Sequence, residues 1–186
     1  MAKTVGFIGS GNMGRAIMGG MIAAGLYAPS QILASAKTKE TVEKIEKELG
    51  IVATTDNATV AKKADILFLA VKPGVFATVI PEIRDCCKEG QIVVSIAAGQ
   101  TLTSITELFG HEIKLVRAMP NTPALVGEAM SAVTPNNHVG EEEIQEVMAI
   151  FESFGKAEIV PETMMDAVIG VSGSSPAYVY MFIEAM

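Results

Sequence analysis

Apolar and polar positions alternate along this chain at two periods, and the periods themselves alternate. Thr4 to Ile8 (TVGFI) is β-rich and predicts a strand. Asn12 to Ala24 places Met13, Ile17, Met21 and Ala24 on one helical stripe, with Gly25 positioned to end the helix. Gln31 to Ser35 reads as a second strand, and Lys39 to Leu49 as a helix ended by Gly50, with Val42, Ile45 and Leu49 at helical spacing. A short third strand, Ile51 to Ala53, precedes a helix that Asp56 is placed to cap and that runs to Lys63. Ile66 to Val71 is unbroken apolar sequence, the mark of a strand buried on both faces. Val75 to Cys87 reads as a helix, Ile92 to Ile96 as another buried strand, Leu102 to Phe109 as a short helix and Ile113 to Met119 as a sixth strand.

Strand–helix–strand units in series predict an α/β fold: a Rossmann-like, doubly wound, mainly parallel sheet with helices on both faces. The pattern changes after Pro120. Ala129 to Thr134 predicts a strand and Pro135-Asn136-Asn137 a turn. Glu141 to Phe154 predicts a helix with acids in its first turn and Gly155 closing it, and Ala157 to Val160 a last strand before Pro161. From Thr163 the chain is apolar and helical, interrupted at Ser-Gly-Ser-Ser-Pro, and it stops at Met186 without a stop signal. The expected division is residues 1–161 as a nucleotide-binding domain and 162–186 as the beginning of a helical domain whose remainder is missing.

Composition narrows the partners. The chain has 186 residues and a net charge of −7, which argues against nucleic acid, because a phosphate backbone needs a basic face. No apolar stretch approaches the roughly 20 residues of a membrane span, and the N-terminus MAKTVGFIGSG lacks the long apolar run of a signal peptide. The two cysteines, Cys86 and Cys87, are adjacent; they suggest a reduced, cytoplasmic setting and belong to no metal-ligand pattern. His111 and His138 fall in expected loops, and no Ser/His/Asp arrangement accompanies them.

The chemistry centres on Gly9-Ser10-Gly11-Asn12-Met13-Gly14, a G-x-G-x-x-G between the first strand and the first helix. Alone the motif is weak and builds a ligand-free turn equally well; at the head of an alternating chain it gains meaning. Gly9 permits the turn, Gly11 lets backbone approach a diphosphate, and Gly14 lets helix and strand pack closely. The amides of Asn12 and Met13 then face the anion at the positive end of the helix dipole, which is how an acidic protein holds a phosphate. At the end of the second strand, Ala34-Ser35-Ala36-Lys37-Thr38 offers no acid for a ribose 2′-hydroxyl. Hydroxyls and Lys37 suit a 2′-phosphate better, so NADPH is expected to bind more tightly than NADH. Lys37 is otherwise an ordinary surface lysine. Further strand ends expected at the same crevice are Ala70-Val71-Lys72-Pro73, Ala97-Ala98-Gly99 and the Asn121-Thr122 turn, each also readable as a loop shaped by its own geometry.

Taken in order, VGFIGSGNMGRAI, ILAS, DILFLAVKP, IVVSIAAG, RAMPNTPALVGEAM and DAVIGVSGSSPAYVYMFIEA resemble the pyrroline-5-carboxylate reductase family along essentially the whole chain. The resemblance implies reduction of 1-pyrroline-5-carboxylate to L-proline by hydride transfer from NADPH, the last step of proline biosynthesis. It also implies a homodimer, or a higher homo-oligomer, built through the helical domain. By resemblance, Gly9 to Gly14 hold the diphosphate, Ser35, Ala36, Lys37 and Asn57 surround the 2′-phosphate, and Val71 and Lys72 line the adenosine ribose. Ala98, Asn121 and Thr122 sit by the nicotinamide, and Glu162, Ser174 and Ser175 lie near the substrate. The general catalytic group is left unassigned.

Two departures from the family pattern stand out. Ala36 replaces a hydroxyl residue, and Ser175 replaces the glycine of SGSGPAY; Ser175 is expected to cap a helix with Pro176 as its first residue. The family's substrate-carboxylate loop is expected beyond Met186, so a protein ending there would bind cofactor and turn over little. Two other readings fit the same motifs: another NADP-dependent two-domain reductase or dehydrogenase acting on a hydroxy acid or a deazaflavin, and a non-catalytic nucleotide-binding relative.

Overall fold

The computed structural model describes residues 3–186; the first two residues, which open the stretch read above as no signal peptide and the expected nucleotide-binding domain, lie outside the described residues. Eight strands form one sheet in the order β3-β2-β1-β4-β5-β6-β7-β8. They are β1 (Val5–Ile8), β2 (Ile32–Ser35), β3 (Val52–Thr54), β4 (Ile66–Leu69), β5 (Ile92–Ser95), β6 (Lys114–Met119), β7 (Ala129–Pro135) and β8 (Gly155–Ile159). The first six are parallel. The strand order reverses direction between β1 and β4, the switch point at which doubly wound sheets open a crevice at their strand C-termini.

The strands β1, β2, β4 and β5 are buried at every position because both faces are covered, and their alternate apolar residues feed two cores. Phe7, Ala34, Phe68, Val94 and Val116 point to one face, where α1 (Asn12–Ala23) and α6 (Glu141–Glu152) pack. Phe7 stacks on Phe68 with ring centroids 4.7 Å apart, and Phe68 meets Phe151 at 6.0 Å. Ile8, Leu33, Leu67, Leu69 and Val93 point to the other face, beneath α3 (Asn57–Lys63), α4 (Phe76–Ile83) and α5 (Leu102–Phe109). The helix α2 (Lys39–Leu49) starts at Thr38, whose hydroxyl accepts the Thr41 amide, and stops at left-handed Gly50.

Several elements depart from the sequence reading. The expected helix Val75 to Cys87 is three pieces: a 3₁₀ turn at Pro73–Val75, then α4, then a 3₁₀ turn at Arg84–Cys86. Pro81 lies inside α4, where its missing N–H removes one bond to the turn before it, and the helix ends two residues later. Gly155 does not close α6, whose C-cap is Ser153; it is the first residue of β8. β7 runs antiparallel to β6, because the link between them, a 3₁₀ turn at Thr122–Val126, is too short for a parallel crossover. The Ser-Gly-Ser-Ser-Pro segment does not break the helix. The chain passes from α7 (Met165–Val168) through a π-helical stretch at Ile169–Gly173 into α8 (Ser175–Ala185), with the Ser174 amide donating to the Ile169 carbonyl. Ser175 is therefore the first residue of α8 rather than its cap, and the helix start has no side-chain cap.

The last helix is uncovered. Tyr178, Val179, Tyr180, Met181, Phe182 and Ile183 are all exposed, so α8 presents apolar surface all round. A helix of that kind is stable only when another surface buries it. No helix among the described residues is long and apolar enough to cross a membrane.

Candidate functional site

The glycine turn sits at the switch point. Gly9 adopts φ +96°, and a Cβ there would lie 2.7 Å from the Ala70 carbonyl oxygen, so this position takes no side chain. Gly14 packs against the same segment: a Cβ would come 3.2 Å from the Gly9 carbonyl and 3.4 Å from the Ala70 Cβ. Gly11 is different. It is the N-cap of α1 in ordinary extended conformation, and a Cβ there would meet nothing within 4 Å. The turn is thus tight against β4 on one side and open at Gly11.

The start of α1 has no capping side chain and no acid in its first turn, leaving its leading amides for a ligand. Ser10 adds a second sign: it is buried, and its hydroxyl has no hydrogen-bond partner in the protein. A buried hydroxyl without a partner is costly, and a phosphate oxygen at this position satisfies it. Open space at Gly11, free amides and the orphan hydroxyl fit the diphosphate of a dinucleotide. A carboxylate, which would repel it, is absent from the turn.

The structure places the other sequence-derived residues along the same sheet edge. Ser35 is buried at the end of β2; its hydroxyl donates to the Phe7 carbonyl at 3.4 Å and accepts the Gly9 amide at 3.3 Å, tying β2 to the glycine turn. Ala36 is also buried, its amide bound to the Thr54 carbonyl, whereas Lys37 is exposed. Asn57 opens α3 and donates to Glu82 of α4 at 2.9 Å. Ala70 and Val71 are half-buried, and Lys72 and Pro73 lead into the 3₁₀ turn before α4. Ala97 is buried, Ala98 and Gly99 are exposed, and Gly99 is left-handed. Asn121 is committed to structure: its Nδ2 donates to the Ser172 carbonyl and its Oδ1 accepts the Met130 amide at 2.9 Å, joining β6, β7 and the π-helical stretch. Thr122 is exposed beside it.

Glu162, which follows β8, reaches back to the sheet. Its Oε1 accepts the Leu102 amide at 2.8 Å, at the start of α5, and a guanidinium nitrogen of Arg117 at 3.1 Å. Arg117 is 4% exposed on β6, and its other terminal nitrogen lies 3.6 Å from Asp166. Arg117 is not legible in the sequence as a site residue, because an arginine within an apolar strand pattern carries no signal of its partner 45 residues away. Ser174 donates to the Ile169 carbonyl, and Ser175 lies at the start of α8.

Competing chemistry is weak. Burial, with Cys86 adding to it, pushes the Cys87 thiol up to about 11, which keeps it protonated and unreactive near neutral pH. His138 pairs with Glu112 at 2.9 Å, and with His111 it borders a depression of about 490 Å³ that also includes Gln91 and Lys114, at the N-terminal ends of β5 and β6 and remote from the glycine turn. No group of His, Cys, Asp and Glu able to hold a metal exists among the described residues.

Comparison with known proteins gives the family and the fold. Residues 4–99 match the family model described as NADP oxidoreductase, coenzyme F420-dependent, and residues 162–186 match pyrroline-5-carboxylate reductase dimerisation. A pyrroline-5-carboxylate reductase of Escherichia coli is 50% identical over all 186 residues, which span 69% of its length. One from Methanosarcina acetivorans is 40% identical over 184 residues, covering 99% of this chain and 68% of the relative. Among solved structures, the pyrroline-5-carboxylate reductase of Coxiella burnetii superposes with a TM-score of 0.93 at 33% identity, over 100% of this chain and 69% of its own. The Plasmodium falciparum pyrroline carboxylate reductase, with NADP bound, gives 0.89 at 32% identity, covering 98% and 67%. A prephenate dehydrogenase from Aquifex aeolicus shares the fold, with a TM-score of 0.75 at 19% identity over 100% of this chain and 69% of its own.

Proposed function

Because the chain belongs to the pyrroline-5-carboxylate reductase family, we propose that it catalyses the NADPH-dependent reduction of 1-pyrroline-5-carboxylate to L-proline. The observation that carries this reading is the glycine turn at the switch point, open at Gly11 and holding the unpartnered Ser10 hydroxyl, in a chain half identical to a named reductase. Bound NADPH supplies a hydride to the C=N carbon of the substrate, whose nitrogen keeps its proton and becomes the amine of proline. The protein's own task is binding and alignment, since a protonated imine is already electrophilic.

The amides of Asn12 and Met13 and the Ser10 hydroxyl hold the diphosphate, with Gly9 and Gly14 keeping the turn against β4. Lys37 and Asn57 serve the 2′-phosphate, and the buried Ser35 acts by fixing the turn through the Gly9 amide. Val71 and Lys72 border the ribose, and Ala98 with the Asn121-Thr122 turn borders the nicotinamide. Glu162, Ser174 and Ser175 lie toward the substrate at the root of the helical segment. In this reading residues 1–161 are the nucleotide-binding domain and 162–186 open the helical one. The exposed face of α8 is buried against a second copy in a homodimer or larger homo-oligomer. Its partners are the small-molecule substrate and other copies of itself, not nucleic acid or membrane, and it works in the cytoplasm, where adjacent thiols such as Cys86 and Cys87 stay reduced.

The test is an assay of the purified full-length protein with pyrroline-5-carboxylate, following NADPH oxidation and proline together. One proline is expected per NADPH consumed, and oxidation without proline would reject the substrate. Fluorescence titration should show NADPH bound about tenfold or more tightly than NADH, because a 2′-phosphate gains charge-assisted bonds at Lys37 that a ribose hydroxyl does not. Equal affinities would reject the 2′-phosphate site.

A further inference from the structure

Arg15 follows the last glycine of the turn and grips it twice. Its amide donates to the Gly11 carbonyl at 2.9 Å, as the first hydrogen bond of α1. Its side-chain Nε donates to the Ser10 carbonyl at 3.0 Å. The charge, delocalised over the same guanidinium, is paired elsewhere: a terminal nitrogen lies 3.3 Å from a Glu48 carboxylate oxygen on α2, and the arginine side chain is only 21% exposed. What Arg15 offers the turn is thus a directed N–H rather than a free charge.

The turn needs such a hold. Ser10 stands between two residues without side chains, so the peptide unit joining Ser10 to Gly11 has few steric restraints on its orientation. A flip would exchange the directions of the Ser10 carbonyl and the Gly11 N–H, which point opposite ways across a trans peptide, and would aim an oxygen dipole where the N–H now points, beside the proposed phosphates. A hydrogen bond from Arg15 to the Ser10 carbonyl fixes that peptide with its oxygen committed to the protein. We propose that Arg15 is a positioning residue for the cofactor diphosphate, acting through its Nε–H on the Ser10 carbonyl and not through its charge. The inference rests on the reading of this turn as a dinucleotide site.

Two substitutions separate the roles, because both side chains end at the place of the arginine Nε. Arg15→Gln puts an amide N–H there without the charge; Arg15→Met puts a methyl group there, with neither. Both residues are good helix formers, so α1 is disturbed equally little. Binding of three probes is measured on the full-length protein: NADPH, NADH and adenosine 2′-monophosphate, which lacks the diphosphate. Arg15→Met is expected to weaken both dinucleotides about tenfold and leave adenosine 2′-monophosphate unchanged, while Arg15→Gln keeps most of the wild-type affinity. Gln as weak as Met would overturn the inference in favour of a charge effect, and parallel losses for all three probes would overturn it in favour of general damage to the fold. Unmoved affinity in Arg15→Met, with wild-type NADPH binding intact, overturns the inference alone. Absence of NADPH binding in the wild-type protein overturns the cofactor reading itself.

Discussion

Gly11→Val should lose NADPH binding by about a hundredfold or more, on the order of 3 kcal/mol, while the fold survives. The two halves of this expectation have different causes. The backbone at Gly11 is extended, and an added Cβ touches no protein atom within 4 Å, so the protein has room for the side chain. That room is the proposed path of a diphosphate to the amides of α1, and a valine fills it. The cost to stability is about 1 kcal/mol at most, from exchanging glycine for a poor N-cap residue. Titration of cofactor fluorescence beside thermal unfolding separates the two effects. Unchanged affinity would remove the turn from the binding site, and gross unfolding would show that Gly11 serves the fold.

Gly155→Ala should do the reverse and destabilise the protein by about 3 kcal/mol, near the top of the range for overpacking a well-filled interior. Gly155 opens β8 directly opposite Ala129 of β7. A Cβ there would fall 2.2 Å from the Ala129 carbonyl oxygen and 2.5 Å from its amide nitrogen, and neither atom belongs to a side chain that can swing away. The two strands would have to part at the ladder that joins the sheet's last strand to the rest. The shift in urea midpoint measures the loss, with NADPH affinity of the folded fraction expected to be unchanged because β8 is the far edge of the sheet from β3. A loss below about 1 kcal/mol would show that the strands separate easily.

Much of this architecture was legible before the structure. The helix Lys39–Leu49 has its observed bounds in the sequence because Thr38 and Gly50 mark both ends with local chemistry. The run beginning at Ile66 gave a doubly buried strand because burial on both faces removes alternation, although the strand ends at Leu69, two residues earlier than read. The glycine turn was legible because Gly9 and Gly14 answer backbone demands of the fold, a left-handed φ at one and close packing at the other. What stayed hidden depends on contacts between distant residues. The antiparallel turn of β7 follows from the length of a connection rather than from any residue in the strand. The π-helical stretch at Ile169–Gly173 looks like a break, since Ser, Gly and Pro carry the same letters in both cases.

The site shows the same division. Residue types placed Ser35 correctly at the end of β2, but not the direction of its hydroxyl, which turns inward to Phe7 and Gly9. The sequence puts Asn121 at the crevice by its place after the sixth strand, but not the direction of its amide, whose two ends join β7 and the π-helical stretch. Arg15 stands next to the motif in plain view; only the position of the Ser10 carbonyl gives it a task. Side-chain direction is set by packing, and packing is a property of pairs that sequence order keeps apart.

The most direct measurement is a crystal structure of the protein with NADPH. Diphosphate oxygens are expected within hydrogen-bonding distance, about 3 Å, of the Asn12 and Met13 amides and of the Ser10 hydroxyl, at the C-terminal ends of β1 and β4. NADPH seated elsewhere, with the Ser10 hydroxyl still unpartnered and nothing beside Gly11, would contradict the assignment of this turn as the cofactor site.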